Sequence, residues 1–441
     1  MKRMVAAASV AAMLNGFGSA AIAQPSTAAT PVVGSPVVRD RAGPPAPLAQ
    51  SQRTAPRTGP LPNRLTLTEA LDEAYARSPT VIAAEAEVAA AEARARQAGY
   101  RENPELGLEV ENFAGTGALK GFRSTETTLS INQRLDLGGR RPARIAAARA
   151  EIELQRLRLA TARADLASNV RQEFARAIAA KERLDQTDEN VDLTKELARV
   201  AGLLVDAGRE PPLRGLRARS ALAQAQAQQE AARAEESSAR TRLATLLGSD
   251  TPIETVVHSE PDARPTNVNL GRSLEVRLAS AEVAAAQAAL QVQTAERRLD
   301  PAVGVGVRHI RETGDVGLVA GLSMPLRIFN RNAGNVDAAR SAIAAAEARR
   351  RAALLTVTSK GRNAIASVEA AQRRLAALQK SALPEAREAL RLAQRSWSEG
   401  RATLVELLDA QNAYVSTQSS LTEAELALAL AMAELARIGA Q

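Results

Sequence analysis

The residues that could bind a metal or transfer a proton are few and widely spaced. The chain of 441 residues has no cysteine and two histidines. His258 lies in a predicted connector and His309 near the end of a predicted strand, so they are not expected to form a metal-binding pair. No nucleophile motif or phosphate-binding loop occurs, and Gly304-x-Gly306 belongs to a strand alternation. We therefore expect no enzyme activity and no bound metal or cofactor.

Charged pairs follow two glycine-containing turns in the chain. Arg214 and Arg217 follow the first turn, and Glu406 and Asp409 follow the second turn at the same spacing from its glycine. Residues three apart share one face of a helix, so each pair should present its charges together. Acidic residues at a helix start are also favoured by the helix dipole. Glu406 and Asp409 are therefore either a functional pair or ordinary surface acids.

Residues 104–135 and 301–326 show the period-2 alternation of β-strands. Each stretch holds two strands around a loop, with apolar residues on one face. The polar face of the first stretch carries Glu105, Glu109 and Glu111. Strands of about ten residues have the length of membrane-spanning β-strands. Four strands cannot close a barrel, and open edges are not stable in lipid. The hairpins therefore either form a small soluble sheet or are pooled by several chains.

The remainder of the chain predicts long helices. Aromatic residues make up only 2%, which favours close packing of alanine-rich helices over a compact core. No glycine or proline occurs between Ala143 and Ala201, so this helix with its flanks should be on the order of 100 Å long. Gly361 and Pro384 are expected to kink or loosen the corresponding helix of the second half. The net charge of +8 comes from interleaved charges of both signs, so nucleic acid is not an expected partner.

The N-terminus predicts export from the cytoplasm. Lys2 and Arg3 precede an apolar stretch, and Ala21-Ile22-Ala23 provides a cleavage site, so residues 1–23 are predicted to be a signal peptide. Residues 24–64 are rich in proline and alanine and are predicted to be a disordered leader. Without cysteine in the chain, we expect no lipidated cysteine anchor.

The region after the leader is predicted to hold two copies of one plan. Four landmarks recur in the same order, namely Asn103-Pro104 with Asp300-Pro301, Leu129-Ser130 with Leu322-Ser323, Gly208-Arg209 with Gly400-Arg401, and Gly248 with Gly439. Their offsets stay between 191 and 197 residues. Residues 65–250 and 271–441 are thus predicted to be two repeats of helix, hairpin, long helix, tip turn and helix, joined by the connector 251–270.

Three segments carry a resemblance to a known family. They are Asn103-Pro104-Glu105-Leu106, Pro325-Leu326-Arg327-Ile328-Phe329-Asn330-Arg331, and Gly400-Arg401-Ala402-Thr403-Leu404-Val405-Glu406-Leu407-Leu408-Asp409-Ala410. With these segments in order, within a duplication behind a signal peptide, residues 65–439 resemble the TolC-like outer membrane efflux proteins, or outer membrane factors. The second segment is similar to that of the CzcC-type branch, which serves heavy-metal efflux pumps.

The resemblance implies a mainly α fold with a small β part. The helices would form a long α-helical coiled-coil barrel, and a transmembrane β-barrel would be completed by trimerisation. Each of three chains would give four strands to the barrel, with Glu105, Glu109 and Glu111 facing its lumen and the lipid of the outer membrane outside. The helical part would lie in the periplasm of a Gram-negative cell.

The resemblance also implies a function and partners. The protein would be the passive outer-membrane channel of a tripartite efflux system that exports heavy-metal cations or other small toxic compounds from the periplasm. Its partners would be a periplasmic adaptor (membrane fusion) protein and an inner-membrane RND pump. The scarcity of histidine and cysteine suggests a water-filled duct, with metal selectivity set elsewhere in the machine.

In this family the far tips of the helices contact the adaptor. The expected docking residues are Gly208, Arg209, Gly400, Arg401, Thr403 and Leu404. The charged residues Arg214, Arg217, Glu406 and Asp409 should lie at equal depth, where basic and acidic side chains would bridge neighbouring helices and form a periplasmic gate. Family members often carry a carboxylate where this chain has Arg214, so an all-acidic entrance is not implied.

Two other classes of protein remain open. One is a periplasmic or surface coiled-coil scaffold without channel activity, whose hairpins form a soluble cap. The other is a nucleic-acid-binding coiled coil, which the signal peptide disfavours. The strand faces distinguish the scaffold from a channel, because a soluble cap does not need four strands that all expose an apolar face of similar length.

Overall fold

The computed structural model describes residues 59–257 and 269–440, and these residues are mainly helical with a small β part, as expected. The predicted signal peptide, most of the predicted leader and His258 lie outside the described residues. Among the helices that the structure describes, none has both the length and the apolar composition needed to cross a membrane.

The first half of the chain runs as two helices, a hairpin, a long helix and a return helix. Its elements are β1 (Arg64–Leu65), α1 (Leu67–Arg77), α2 (Pro79–Gly99), β2 (Glu105–Glu111), β3 (Glu126–Arg134), α3 (Arg140–Asp206) and α4 (Pro212–Leu246). Thr66 caps α1 in a capping box with Glu69. Pro79 occupies the first position of α2, where its missing N–H costs no helical hydrogen bond.

Helix α3 is 67 residues long, which corresponds to about 100 Å and confirms the predicted long helix. A helix of this length needs packing partners, because its own hydrogen bonds stabilise it only marginally in water. Leu166, Val170 and Phe174, which recur every fourth position, lie in a buried cluster with residues of α1 and α4. The apolar stripe of α3 therefore organises the central core.

A short parallel sheet that the sequence did not predict ties the start of the folded chain to the connector. Strand β1 pairs with β4 (Thr255–Val256). Leu65 is fully buried, and Leu61 is buried in the same cluster. The predicted leader boundary at residue 64 is therefore a few residues too late, because these apolar side chains already complete the core beneath α1.

The elements of the second half are one helix, a hairpin and three further helices. They are α5 (Leu274–Ala295), β5 (Ala302–Ile310), β6 (Val316–Ser323), α6 (Ala333–Ala377), α7 (Leu383–Ser398) and α8 (Leu404–Ile438). A π-helical segment of five residues, Leu378–Ala382, joins α6 to α7. Pro384 is the second residue of α7 and cannot donate a backbone hydrogen bond, so the loosened turn predicted near it is confirmed.

At Gly361, where the second kink or loosened turn is predicted, the structure shows no loosened turn. Helix α6 continues through this residue without a change of helix type. A Cβ atom at Gly361 would overlap the side chain of Leu270. The glycine therefore allows a neighbouring segment to pack closely against α6, and it does not mark a break.

Strands β2, β3, β5 and β6 form one antiparallel sheet in that order. The register places Leu108 opposite Leu129, which in turn lies opposite Val307. Directly opposed residues lie on the same face, so the alternation of each strand extends across the whole sheet. Within the described chain, β2 and β6 are the outer strands, and each has one unpaired edge.

The helices pack around α3, and the two tip turns meet at one end. Helix α3 contacts α2, α4, α5 and α8, whereas α6 packs on α5 and α8, and α7 packs on α8. At the end of α3 that is distant from the sheet, Ala201, Ala218 of α4 and Leu404 of α8 form one buried cluster. The turns that join each long helix to its return helix therefore lie side by side.

Candidate functional site

One face of the four-stranded sheet is apolar across all four strands. Leu318 is 91% exposed and Leu106 is 72% exposed, although both lie inside strands. The other large members of this face are Leu108, Val110, Leu129, Ile131, Val303, Val305, Val307, Val316 and Leu322. A contiguous exposed apolar patch marks a surface that a partner or a membrane covers. All four strands thus expose an apolar face, which a soluble cap would not need.

The opposite face of the sheet is polar and rich in glycine. It carries Glu105, Glu109 and Glu111, as the alternation predicts, together with Ser130 and Asn132 of β3. Glycines at positions 107, 304, 306, 317 and 321 lie on this face as well. A sheet with one apolar and one polar face suits a position between lipid and water.

A cluster of three charged residues that the sequence pattern does not reveal lies on the polar face. Glu111 and Glu126 lie directly opposite each other, an arrangement that is unfavourable for two like charges. Arg308 joins them, with Nη2 3.0 Å from Glu111 Oε2 and Nη1 2.8 Å from Glu126 Oε2. Its Nε donates to the Thr128 hydroxyl at 3.0 Å. The alternation of residues 301–326 already places Arg308 on the polar face, but its partners depend on the register between the two hairpins.

The two tip turns have the same backbone structure. Gly208 and Gly400 adopt the left-handed conformation, with φ of 70° and 72°. In each turn the glycine N–H donates to the carbonyl three residues earlier at 2.9 Å, and the next N–H donates to the carbonyl five residues earlier. These hydrogen bonds form a Schellman motif, which favours glycine because a Cβ atom is strained at positive φ.

Helix α8 begins with a capping box at the second tip. The Thr403 N–H donates to Glu406 Oε2 at 2.6 Å, and the Glu406 N–H donates to the Thr403 hydroxyl oxygen at 3.3 Å. The hydrogen bonds from the backbone and hydroxyl of Thr403 lower the pKa of Glu406 below its usual value, since they stabilise the carboxylate. In this chain the carboxylate of Glu406 therefore caps its own helix.

The four predicted gate residues occupy matching positions on the two return helices. Arg214 is the third residue of α4 and Glu406 the third residue of α8, and Arg217 and Asp409 follow one turn later. Arg214 forms an ion pair with Glu210 of the preceding turn. Within the part of the chain that the structure describes, no ion pair joins the basic pair to the acidic pair.

The predicted docking residues differ in their exposure. Gly208, Arg209, Gly400, Arg401 and Thr403 are exposed. The Leu404 side chain, in contrast, is only 2% exposed and packs in the cluster that joins the two tips. A partner at these tips would therefore meet the residues around Leu404, whose own side chain stabilises the pairing of the tips.

Polar side chains also cross the interface between α3 and α8 above the tips. Gln411 is buried, and its Nε2 donates to Asn190 Oδ1 and to the Thr194 hydroxyl, both at 2.8 Å. Gln186 donates to the Thr422 hydroxyl at 2.8 Å in the same interface. The sequence showed no pattern for these contacts, because they depend on the pairing of helices that are far apart in the chain.

The fold is shared with a protein of the bacterial outer membrane. The crystal structure of the outer membrane protein VceC from Vibrio cholerae superimposes with a TM-score of 0.69 at 20% identity, covering 85% of this chain and 96% of that chain. The chain therefore has the fold of that outer membrane protein.

Comparison of the sequence identifies the family. The family model for outer membrane efflux proteins matches residues 70–249 and 268–440. The nickel-cobalt-cadmium resistance protein NccC of Alcaligenes xylosoxydans xylosoxydans is 32% identical over 68% of this chain and 69% of its own. The cobalt-zinc-cadmium resistance protein CzcC of Cupriavidus metallidurans is 32% identical over 79% of this chain and 83% of its own. The chain belongs to the outer membrane efflux protein family.

Family membership confirms the resemblance seen in the sequence. The protein is an outer-membrane channel component of an efflux system, and the scaffold alternative is not supported. Its relatives are efflux and resistance proteins rather than enzymes. The expectations of no cofactor and no nucleic acid remain predictions.

Proposed function

We propose that this protein is the passive exit duct of a tripartite efflux system that removes heavy-metal cations from the periplasm. The observation that carries the proposal is the sheet, whose four strands share one apolar and one polar face. Relatives named for resistance to nickel, cobalt, zinc and cadmium support metal cations as the substrate. A periplasmic adaptor and an inner-membrane RND pump are the proposed partners, because a passive duct needs an energised pump to load it.

The unpaired strand edges support assembly from several copies. Strands β2 and β6 end the sheet on opposite sides, and an open edge in lipid would leave backbone N–H and C=O groups without partners. Pairing β2 of one copy with β6 of the next removes both edges when the ring closes. The family resemblance supports three copies and twelve strands, and Glu105, Glu109 and Glu111 are proposed to face the lumen.

An internal duplication accounts for the similar plan of the two halves. The return helices α4 and α8 are each 35 residues long. The long helices also begin alike, since Gly139 before α3 and Asn332 before α6 are both left-handed caps, with φ of 75° and 57°. Two separate family matches, one in each half, support the same origin.

The helical part is proposed to extend into the periplasm, with its tips toward the adaptor. The tips lie at the end of α3 that is distant from the sheet, which supports a position far from the membrane. Exposed Arg209 and Arg401 flank the two glycine turns and are the proposed contacts for the adaptor.

The charged residues beside the tips are proposed to form the periplasmic gate. In a ring of three copies, the basic pair of α4 would alternate with the acidic pair of α8 around the entrance. Each exposed ion pair would contribute about 0.2–1 kcal/mol, so several together bias a closed state that an adaptor can still open. Asp409 and Arg217 are exposed and carry the proposal, because Glu406 and Arg214 have partners within their own turns.

Growth of a strain that lacks the gene tests the proposed substrate. Deletion should lower the tolerated concentration of Co²⁺, Zn²⁺, Cd²⁺ or Ni²⁺ several-fold, and the wild-type chain on a plasmid should restore it. Organic toxic compounds are tested in parallel on the same strains. A loss of tolerance to organic compounds alone would contradict metal cations as the substrate.

A further inference from the structure

Where the sheet meets the helices, five arginines line a cavity of about 400 Å³. The basic lining residues are Arg101, Arg134, Arg140, Arg141 and Arg144, and the acidic ones are Glu102, Asp136 and Asp300. Five positive charges against three negative charges leave an excess of two positive charges. A cavity of this volume is within the range of binding sites for small molecules.

Hydrogen bonds of Asp300 and Asp136 hold part of the lining of this cavity in place. Asp300, which precedes β5, accepts a hydrogen bond from the Gly138 N–H at 2.7 Å and lies 2.9 Å from Arg140 Nε. Asp136 accepts hydrogen bonds from the N–H groups of Arg140 and Arg141 at 3.0 and 2.9 Å and so caps α3. Two of the three carboxylates are therefore already used for structure.

The remaining arginines keep much of their donor capacity. Glu102 is shared between Arg134 at 3.3 Å and Arg144 at 3.6 Å, and these pairs are half exposed. Arg101 is exposed, and no ion pair of its side chain occurs within the described residues. Because each guanidinium has five N–H donors, one shared carboxylate leaves most of them open to an anion.

We propose that this cavity binds a phosphate group and that its position favours the head group of a phospholipid. Guanidinium groups match phosphate oxygens in both charge and geometry, and several can bind one phosphate. The cavity begins at Arg134, the last residue of β3, where the apolar face of the sheet ends. Leu137, which is 72% exposed, lies in the cavity lining and offers an apolar contact for an acyl chain.

The choice of a lipid source rests on the proposed function. Only a membrane-spanning sheet brings the cavity to the level of the head groups on the periplasmic side, where basic pockets of membrane proteins bind anionic lipids. The phosphate site itself rests on the arginines and the cavity alone. Free phosphate is the other source of the same chemistry, and the two sources are separable by experiment.

The test uses the purified full chain in detergent after removal of bound lipid. Phosphatidylglycerol, diacylglycerol and inorganic phosphate are titrated separately, with native mass spectrometry for the lipids and thermal unfolding for phosphate. The double variant Arg101→Gln/Arg144→Gln leaves the Asp300 and Asp136 contacts intact. Arg349→Gln/Arg350→Gln, on the exposed surface of α6, is the matched control.

We expect phosphatidylglycerol to bind the wild type and the control with equal affinity. Its affinity for the double variant should be about 30-fold lower. Diacylglycerol, which has no phosphate, should bind none of the three chains specifically. Stabilisation by inorganic phosphate that the double variant loses would also support the site and would assign it to free phosphate. Equal binding of phosphatidylglycerol and phosphate to the wild type and the double variant would overturn the proposal. A chain absent from the outer-membrane fraction would contradict the proposed function instead, and the phosphate titration would still decide the site.

Discussion

Leu108 and Glu109 are neighbours in β2, yet the sheet gives them opposite surroundings. Leu108 is 69% exposed and lies on the apolar face, whereas Glu109 lies on the polar face with the glycines. In the proposed channel the first side chain meets lipid and the second meets water. The same substitution at these two positions therefore distinguishes a membrane-spanning sheet from a soluble one.

Leu108→Lys should destabilise the inserted protein by roughly 2–4 kcal/mol, because the ammonium group would lie in the hydrocarbon near the middle of the strand. Glu109→Lys is the matched control and should fold and insert normally. The free energy of unfolding is measured by urea titration of the protein in lipid vesicles. Equal stability of the two variants would mean that this hairpin does not face lipid.

The gate proposal is tested best at Asp409 and Arg217, because the side chains of Glu406 and Arg214 already have partners within their own turns. Asp409→Arg should raise single-channel conductance in planar bilayers, because it replaces an attraction with a repulsion at the entrance. Adding Arg217→Glu should largely reverse the increase. Glu406→Gln serves as a further control, since glutamine preserves the capping box while removing the charge. Unchanged conductance of Asp409→Arg at low salt, where ion pairs are strongest, would contradict the gate.

At the residue scale, the sequence predicted which side chains are charged and near a tip, but not which of them are already engaged. The alternation placed Glu105, Glu109 and Glu111 on one face, and the structure agrees. Leu404 was predicted to contact a partner, and its burial follows from contact between two tips that are far apart in the chain. The ion pairs of Arg308 depend on strand register in the same way.

At the scale of the elements, the tip turns combine a helix end with the start of a return helix. Gly400→Val should abolish metal tolerance while leaving the amount of protein in the outer membrane unchanged. Its left-handed conformation costs a residue with a side chain about 1–2 kcal/mol, and more with β-branching, so the turn should rearrange.

The matched control for this turn is Gly202→Val, near the end of α3. Gly202 is helical, and a Cβ atom there would contact nothing within 4 Å, so the valine should be tolerated. Metal tolerance and the amount of protein in membrane fractions are measured for both variants. Full tolerance in Gly400→Val would argue against docking through this tip.

Elements that extend over many residues were predictable from the sequence, and very short elements were not. Helix α3 and the four long strands follow from regular apolar spacing over many residues. Strands β1 and β4 have two residues each, too few to show an alternation. The glycine at position 361 resembles a helix breaker in the sequence, and the overlap that a Cβ atom would make with Leu270 explains why glycine stands there inside a continuous helix.

At the scale of the whole molecule, a single copy leaves two kinds of surface uncovered, namely strand edges of the sheet and the side of a long helix. Strands β2 and β6 have open edges, and α6 exposes most of its surface although it is 45 residues long. A long helix with a single packed side requires further packing partners. Closure of a ring of identical copies covers both the strand edges and the helix surfaces with the same contact.

Cross-linking of the two strand edges tests this closure most directly. The chain has no cysteine, so a cysteine at Leu108 of β2 can be combined with one at each position of β6 in turn. After oxidation in isolated outer membranes, at least one combination should give a ladder of one, two and three chains that stops at three. Each single-cysteine chain is the control and should give no ladder. Absence of cross-links in every combination, or a ladder that continues beyond three chains, would contradict a barrel closed by three copies.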